Sequence, residues 1–314
     1  MDLIADIGAT STRCGLLDIN GKLVRQATYI NASYDDPQVI LLHFLSSGRA
    51  SDKATRAALA VAAPILQDEV TMLNLDWRFS QNELRSNLGL SRLSVVNDFA
   101  AVAWSLPSLA TDDLRQVGSG SPAVRSPAGT VGPGSGLGVG GIVPAGTEGW
   151  AVVSGEGGHV SVAPATALET DIVDAVRAQF GHCSAERLLS GPGLLTIYRE
   201  LARIRSCDAT VADPATVSEL AEKGDPLAQD TLDIFFSLLG GVAGDLALTL
   251  GARGGIFIAG GIIPRMPEAL DRSPFRERFL SKGRYRDYLD GIPTYLITAP
   301  VPAFVGLRRI LGHS

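Results

Sequence analysis

The order of elements over the first hundred residues constrains the fold most. Asp2–Ile7 reads as a strand, Gly8-Ala9-Thr10-Ser11-Thr12 as a turn of small hydroxyl residues, and Arg13–Asp18 as a second strand. Asn20-Gly21 is the strongest short hairpin signal in the chain and leads into Leu23–Tyr29. A helix over Pro37–Leu45 and a strand over Ala57–Ala62 follow, the strand ending at Ala63-Pro64. Asn74–Trp77 reads as a loop, and Ser80 with Glu83 fits a capping box opening a helix to about Leu88. Leu93–Val96 is a β-branched run that stops on Asn97-Asp98, and the apolar spacing of Phe99–Leu109 suits a buried helix. Three strands in a meander, then alternating helix and strand, give a mixed sheet with helices packed on it, an α/β class. Asn97 and Asp98 then lie at the carboxyl end of a strand, the edge where open α/β sheets take their ligands. Taken alone, Asp98 reads first as the N-cap of the helix that follows.

Glycine carries the next constraint. There are 35 glycines in 314 residues, clustered in the first fifteen positions, in 132–158 and in 240–261, so they mark particular backbone sites. Residues 136–141 satisfy G-x-G-x-x-G, but a dinucleotide fingerprint must open a helix. Here the glycines run into Ile142-Val143-Pro144, which no helix tolerates. The alternative is a strand–turn–strand in which glycine lets the backbone approach a ligand. That makes 130–141 a second phosphate-cradling hairpin matching Gly8–Thr12, whose N–H groups and hydroxyls suit a phosphate; each turn read singly is an ordinary hairpin. Gly155-Glu156-Gly157-Gly158-His159 sets a Glu and a His in a loop that cannot pack densely, against the plain reading of a solvated turn. From residue 167 the chain is mainly helical, ending in a long helix over Pro226–Leu250. Ser184 reads as an N-cap with Glu186 in the first turn, where helix-dipole stabilisation alone explains the acid. Gly255–Ala259 is a buried strand, followed by Gly260-Gly261.

Charge and cysteine content exclude several classes. The net charge is −6 and no Lys/Arg run resembles a nucleic-acid footprint. An anionic substrate must be held locally, by backbone amides or a metal ion. Cys14, Cys183 and Cys207 form no CxxC pair, against a zinc site or a disulfide framework. The MDLIAD opening has no basic n-region and reads as no signal peptide. The longest apolar runs are broken by Gly, Asp or Pro short of a membrane span. The expectation is a reduced, cytoplasmic, soluble protein without nucleic-acid or membrane partners.

The strings DIGAT, LAVAAP, VVNDF, GPGSGLGVGG, GEGGH, SAERLLSGPGL and FIAGGIIPR, in that order and spacing, closely resemble bacterial glucokinases over nearly the whole chain. The resemblance is to the non-ROK glucokinases of the hexokinase–actin–Hsp70 superfamily, since the ROK zinc cysteines are absent. It implies a two-domain actin-like ATPase (ribonuclease H-like) fold closing over an interdomain cleft. Residues 1–108 plus 300–314 would form the small domain and 109–299 the large. It implies phosphorylation of D-glucose at the 6-hydroxyl by ATP with Mg²⁺, Asp98 as general base, and Asn97, Asp98, Glu156, His159 and Glu186 on the sugar. The nucleotide would be held by Ala5, Asp6, Ile7, Gly8, Ala9 and Thr10, by Gly132, Gly134, Ser135 and Gly136, and by Gly260 and Gly261 near the adenosine. Asp6 would hold the Mg²⁺ shell through water. A homodimer is expected by similarity alone. The residues agree with this chemistry: a sugar is a neutral polyol whose hydroxyls need acceptors, which Asp98, Glu156 and Glu186 supply. No GxxxxGK[ST] is present, so the chain is not a P-loop enzyme.

Some positions depart from the family pattern. DIGATS stands where DIGGTN is usual. Ala9 adds a methyl beside the phosphate and raises the expectation of an unfavourable backbone angle, and Ser11 lacks an amide. Ser135 replaces a Thr, Ala63 a Gly or Cys, and PAFVGLRR is shorter than the usual segment. Two other readings therefore stand beside glucose phosphorylation: a kinase for another hexose, such as mannose or fructose, and a sugar-binding regulator without turnover.

Overall fold

The computed structural model describes residues 1–48, 52–72 and 75–313. The chain divides into two compact units, one of residues 1–110, 152–154 and 299–314, the other of residues 111–151 and 155–298.

The first unit is built on a mixed sheet. Its strands are β1 (Asp2–Ile7), β2 (Ser11–Leu17), β3 (Leu23–Ile30), β4 (Arg56–Val61) and β7 (Arg92–Asn97), in the order β3-β2-β1-β4-β7. The meander β1–β3 is antiparallel, and β4 and β7 run parallel to β1. After Arg56 the central strand is apolar and buried on both faces from Ala57 to Val61, as a strand covered by helices must be. One face carries α1 (Pro37–Ser46) and α2 (Gln81–Asn87) with Leu3, Ala5, Ile7, Phe44 and Leu84 in the core between. The other carries α3 (Asp98–Ser105) and the last helix of the chain, Pro302–Ile310, over Ile4, Ala58 and Ala60. Ser80 caps α2 as expected, accepting from the Glu83 N–H at 3.1 Å. The loop expected at Asn74–Trp77 is a two-stranded ribbon joint: β5 (Glu69–Met72) pairs with β6 (Trp77–Ser80), so Trp77 opens a strand. Asn74 lies outside the described residues.

The second unit repeats the plan. Its sheet consists of β8 (Leu114–Val117), β9 (Ala128–Pro133), β10 (Leu137–Ala145), β11 (Gly149–Ser154, of which residues 152–154 are counted with the first unit), β12 (Gly255–Ile258) and β13 (Thr294–Ile297), ordered β11-β10-β9-β12-β13-β8. β9 and β10 are antiparallel, while β12 and β13 run parallel to β9. The rejected dinucleotide motif is therefore a hairpin. The helices are α4 (Ala167–Phe180), α5 (Ala185–Leu188), α6 (Gly191–Ile204), α7 (Pro214–Glu222), α8 (Pro226–Leu250), α9 (Pro267–Arg272), α10 (Phe275–Leu280) and α11 (Arg286–Asp290); the one at Pro302–Ile310 is α12. Asp225 caps α8 through the Ala228 N–H, and Gly251 ends it in the left-handed region at φ +58°. Among the described residues α8 is the one helix long and apolar enough to cross a membrane, with mean hydropathy 1.5, yet 67% of that window is buried within the unit. This corrects the expectation that apolar runs stop well short of a span. The interrupting glycines do not end the helix: a Cβ on Gly240 would lie 2.1 Å from the Phe275 carbonyl oxygen, so glycine there admits α10.

Candidate active site

In the first unit three strand ends form one edge. Ile7 pairs with Val61 and Val61 with Asn97, so the turn after β1, Ala62-Ala63 and Asp98 stand side by side at the carboxyl ends of parallel strands. Two strand spacings put the turn and Asp98 roughly 10 Å apart. Asn97, not Asp98, caps α3. Its Oδ1 accepts from the Phe99 and Ala100 N–H groups at 2.9 and 3.1 Å, and its Nδ2 donates to the Ala63 carbonyl at 3.4 Å. Asp98 is the first helical residue, half-buried, and one of its oxygens accepts from the Phe99 N–H at 2.8 Å. The capping reading thus falls on its neighbour.

The turn Gly8–Thr10 is closed by the Gly8 N–H donating to the Ser11 carbonyl at 3.1 Å. A residue absent from the motif reading holds it from behind. Asn31, 1% exposed at the end of β3, donates through Nδ2 to the Gly8 carbonyl at 2.8 Å and through its N–H to the Thr10 carbonyl at 3.0 Å. Its Oδ1 accepts from the Thr12 hydroxyl at 2.8 Å. Among the described residues the non-glycine positions with positive φ are Asp76, Arg125 and Ser206. Ala9 is not one of them, so the expected backbone strain does not arise. Ala5 and Ile7 are fully buried in the core, leaving them only backbone atoms to offer. Asp6 lies between them on the opposite face, with one oxygen 3.3 Å from the Arg13 guanidinium across the β1–β2 ladder. Burial pushes its carboxyl above the usual range, and Arg13 offsets part of that.

In the second unit the hairpin Gly134-Ser135-Gly136 is held in the same manner. The Gly134 carbonyl accepts from the Gly191 N–H at the start of α6 at 2.9 Å, and the Pro133 carbonyl from the Ile262 N–H at 3.3 Å. Gly260 has φ +88°, and a Cβ there would sit 2.3 Å from the Pro133 oxygen, so the Gly260-Gly261 segment can approach the hairpin only without a side chain. Gly132 lies buried beneath it. Glu186 does more than complement a helix dipole: its Oε2 accepts from the Leu137 N–H at 2.9 Å, and a Cβ on Gly136 would meet that oxygen at 2.3 Å. Ser184 occupies the cap position of α5 but makes no side-chain cap bond. Backbone bonds from Ala185 to Val160 and from Val162 to Cys183 stitch the glycine loop to this segment. They bring His159 Nδ1 within 4.0 Å of Glu186 Oε1. Glu156 is exposed one turn earlier, its carbonyl accepting from the His159 N–H at 3.0 Å. Glu156, His159 and Glu186 are therefore assembled in one place beside a glycine hairpin, and His182 bonds Ser161 nearby at 2.9 Å.

The glucokinase family model matches residues 3–314. The chain belongs to the glucokinase family. It is 44% identical to a glucokinase of Paramagnetospirillum magneticum over 99% of its own length and 97% of that protein. It is 41% identical to the bifunctional protein glk of Paraburkholderia xenovorans, over 99% of its length but 49% of that longer chain. A crystal structure of a glucokinase from an Antarctic psychrotroph superposes with TM-score 0.86 at 36% identity, covering 100% and 99% of the two chains. The fold is the actin-like ATPase fold, and the chain is a sugar kinase of the glucokinase family. What the glucokinase motifs did not reveal is Asn31. It lies 23 residues from Gly8 in sequence, after a strand of alternating exposure, and no local signal marks it.

Proposed function

We propose that this protein transfers the γ-phosphoryl group of ATP to the 6-hydroxyl of D-glucose, giving glucose 6-phosphate and ADP. The observation that carries this is the shared strand edge of the first unit. It sets a carboxylate at the head of a helix beside a turn whose carbonyls face inward. Asp98 accepts the proton of the 6-hydroxyl as that oxygen attacks phosphorus. Asn97, Glu156, His159 and Glu186 orient the sugar; carboxylates are strong acceptors for hydroxyls. Oδ1 of Asn97 is engaged in the cap and one N–H of its Nδ2 on the Ala63 carbonyl, so the second N–H of Nδ2 is the donor left to orient a sugar oxygen. Gly8, Ala9, Thr10, Gly132, Gly134, Ser135, Gly136, Gly260 and Gly261 hold the nucleotide. Phosphoryl transfer needs positioning and charge stabilisation rather than covalent chemistry from the protein.

Mg²⁺ fits the residues present. It is commonly held by one or two carboxylates with substrate phosphates and several waters, and Asp6 offers one carboxylate at the end of β1. Among the described residues no group of three or more His, Cys, Asp or Glu gathers for a resident metal. When bound with ATP, the ion neutralises phosphate charge. The three thiols are free and Cys207 is exposed, which suits a reducing cytoplasm.

Coupled ADP release with Mg-ATP over a panel of glucose, mannose, fructose and other hexoses tests the reading. Glucose is expected to give the highest kcat/KM. A preference for another hexose moves the assignment to that sugar. Thermal stabilisation by glucose with no ADP release makes the protein a sugar-binding regulator instead.

A further inference from the structure

The turn after β1 has its carbonyl oxygens pulled in one direction. Both the Gly8 and Thr10 carbonyls point inward to Asn31, at 2.8 and 3.0 Å. In a trans peptide the C=O and the following N–H point opposite ways. Anchoring the Gly8 carbonyl inward therefore turns the Ala9 N–H outward, and anchoring Thr10 does the same for Ser11. Among the described residues the N–H groups of Ala9 and Thr10 donate to no other backbone group outside the strands and to no side chain. The hairpin of the second unit has the same polarity by other means. There the Gly134 carbonyl is held by Gly191, which turns the Ser135 N–H away. A nest of outward N–H groups is what an anionic phosphate requires. Left to itself, a short exposed turn with small side chains samples both peptide orientations, and one of them presents a carbonyl oxygen to the anion.

We infer that Asn31 is a positioning residue for the nucleotide: it fixes the polarity of the phosphate turn without touching the phosphate. The inference rests on the kinase reading above. The motif itself has Ser at position 11 and no amide of its own, and Asn31 brings one to the turn from the end of β3. The Thr12 hydroxyl, itself buried, orients that amide by donating to its Oδ1 at 2.8 Å. This leaves Nδ2 facing Gly8 and excludes the flipped rotamer, which would set two acceptors against each other.

The test uses nucleotide and sugar binding measured separately. Asn31→Asp keeps size and the acceptor for Thr12 but replaces the donor to Gly8 with an oxygen. Mg-ATP binding without sugar, followed by calorimetry, is expected to weaken about tenfold, the effect of one displaced hydrogen bond. Glucose binding, followed by tryptophan fluorescence, is expected to stay unchanged. The KM for ATP should rise with the binding constant while kcat at saturating ATP changes little. Thr12→Val, which frees the amide to rotate, should shift ATP binding in the same direction by less, and it decides the matter if Asn31→Asp does not fold. A folded Asn31→Asp protein that binds ATP as tightly as the parent overturns the inference alone. So does equal weakening of ATP and glucose, which marks a merely structural role. A parent protein that binds no nucleotide overturns the kinase reading and this inference with it.

Discussion

At the scale of single residues, Asp98 and Asn97 divide two tasks that the sequence places on adjacent positions. Asn97 spends its Oδ1 on the first two free N–H groups of α3, which an N-cap must satisfy. Asp98 shares the Phe99 N–H with it through one oxygen and stands half-buried as the first helical residue, a position from which a carboxylate can take a proton. Asp98→Asn is expected to lower kcat by roughly 10²–10⁴-fold, the usual range for a general base, while glucose still binds. Turnover near that of the parent in a steady-state assay would remove Asp98 from the mechanism. Glu186 shows the same economy. One of its oxygens is fixed by Leu137, 49 residues away, so its other oxygen has a defined direction. The motif announced the acid, but the backbone donor that aims it was invisible, because no local pattern marks an N–H made available by a hairpin turn.

At the scale of elements, α3 is placed by what lies on its back. α12 returns from the end of the chain to pack on it, and small residues let the two helices approach closely. A Cβ on Gly306 would lie 1.8 Å from the Ala101 carbonyl oxygen. Gly306→Ala is therefore expected to force α12 away from α3 and to cost about 1–3 kcal/mol, as overpacking does. Because α3 carries Asp98 on its first residue, kcat should fall as well, although residue 306 is part of no proposed binding set. Thermal denaturation together with kcat checks both; an unchanged melting temperature would show that the helices have room to spare. Hairpins, the Ser80 cap and the long core helix were legible because each depends on residues within a few positions of one another. The four-residue strands β8 and β13 were not, since so short a run carries too little periodicity to separate it from a loop.

At the scale of the molecule, the first unit is closed by its own ends. Asp2 on β1 accepts from Arg56 Nε at 2.9 Å and from His313 Nε2 at 2.7 Å, the latter across 311 residues of sequence. Burial of the Asp2 carboxyl works to raise its pKa, but the hydrogen bonds from Arg56 and His313 outweigh that and hold it below the ordinary value of 3.8. A carboxyl with a depressed folded-state pKa contributes stability above its unfolded value, and that contribution is lost as pH falls through the folded one. Asp2→Asn should therefore lower the melting temperature at pH 7, and the gap to the parent protein should close as the pH is taken below about 4. A gap that stays constant from neutral to acid pH would show that the carboxylate charge contributes nothing. Cys14, in the same unit, is pushed up to about 12 chiefly by burial, so its thiol is inert at neutral pH.

The sequence by itself determined the strand and helix order of the first hundred residues apart from the ribbon β5–β6, the two glycine hairpins, the carboxylate at the end of β7 and the family. All of these are written in contiguous residues whose chemistry and conformational preference are local. Only the tertiary structure decided which way the turn after β1 faces, which donor aims Glu186, and how close α12 comes to α3. Each of those depends on a partner far along the chain, and a partner's distance in space is set by the packing of whole sheets and helices, which no short stretch encodes.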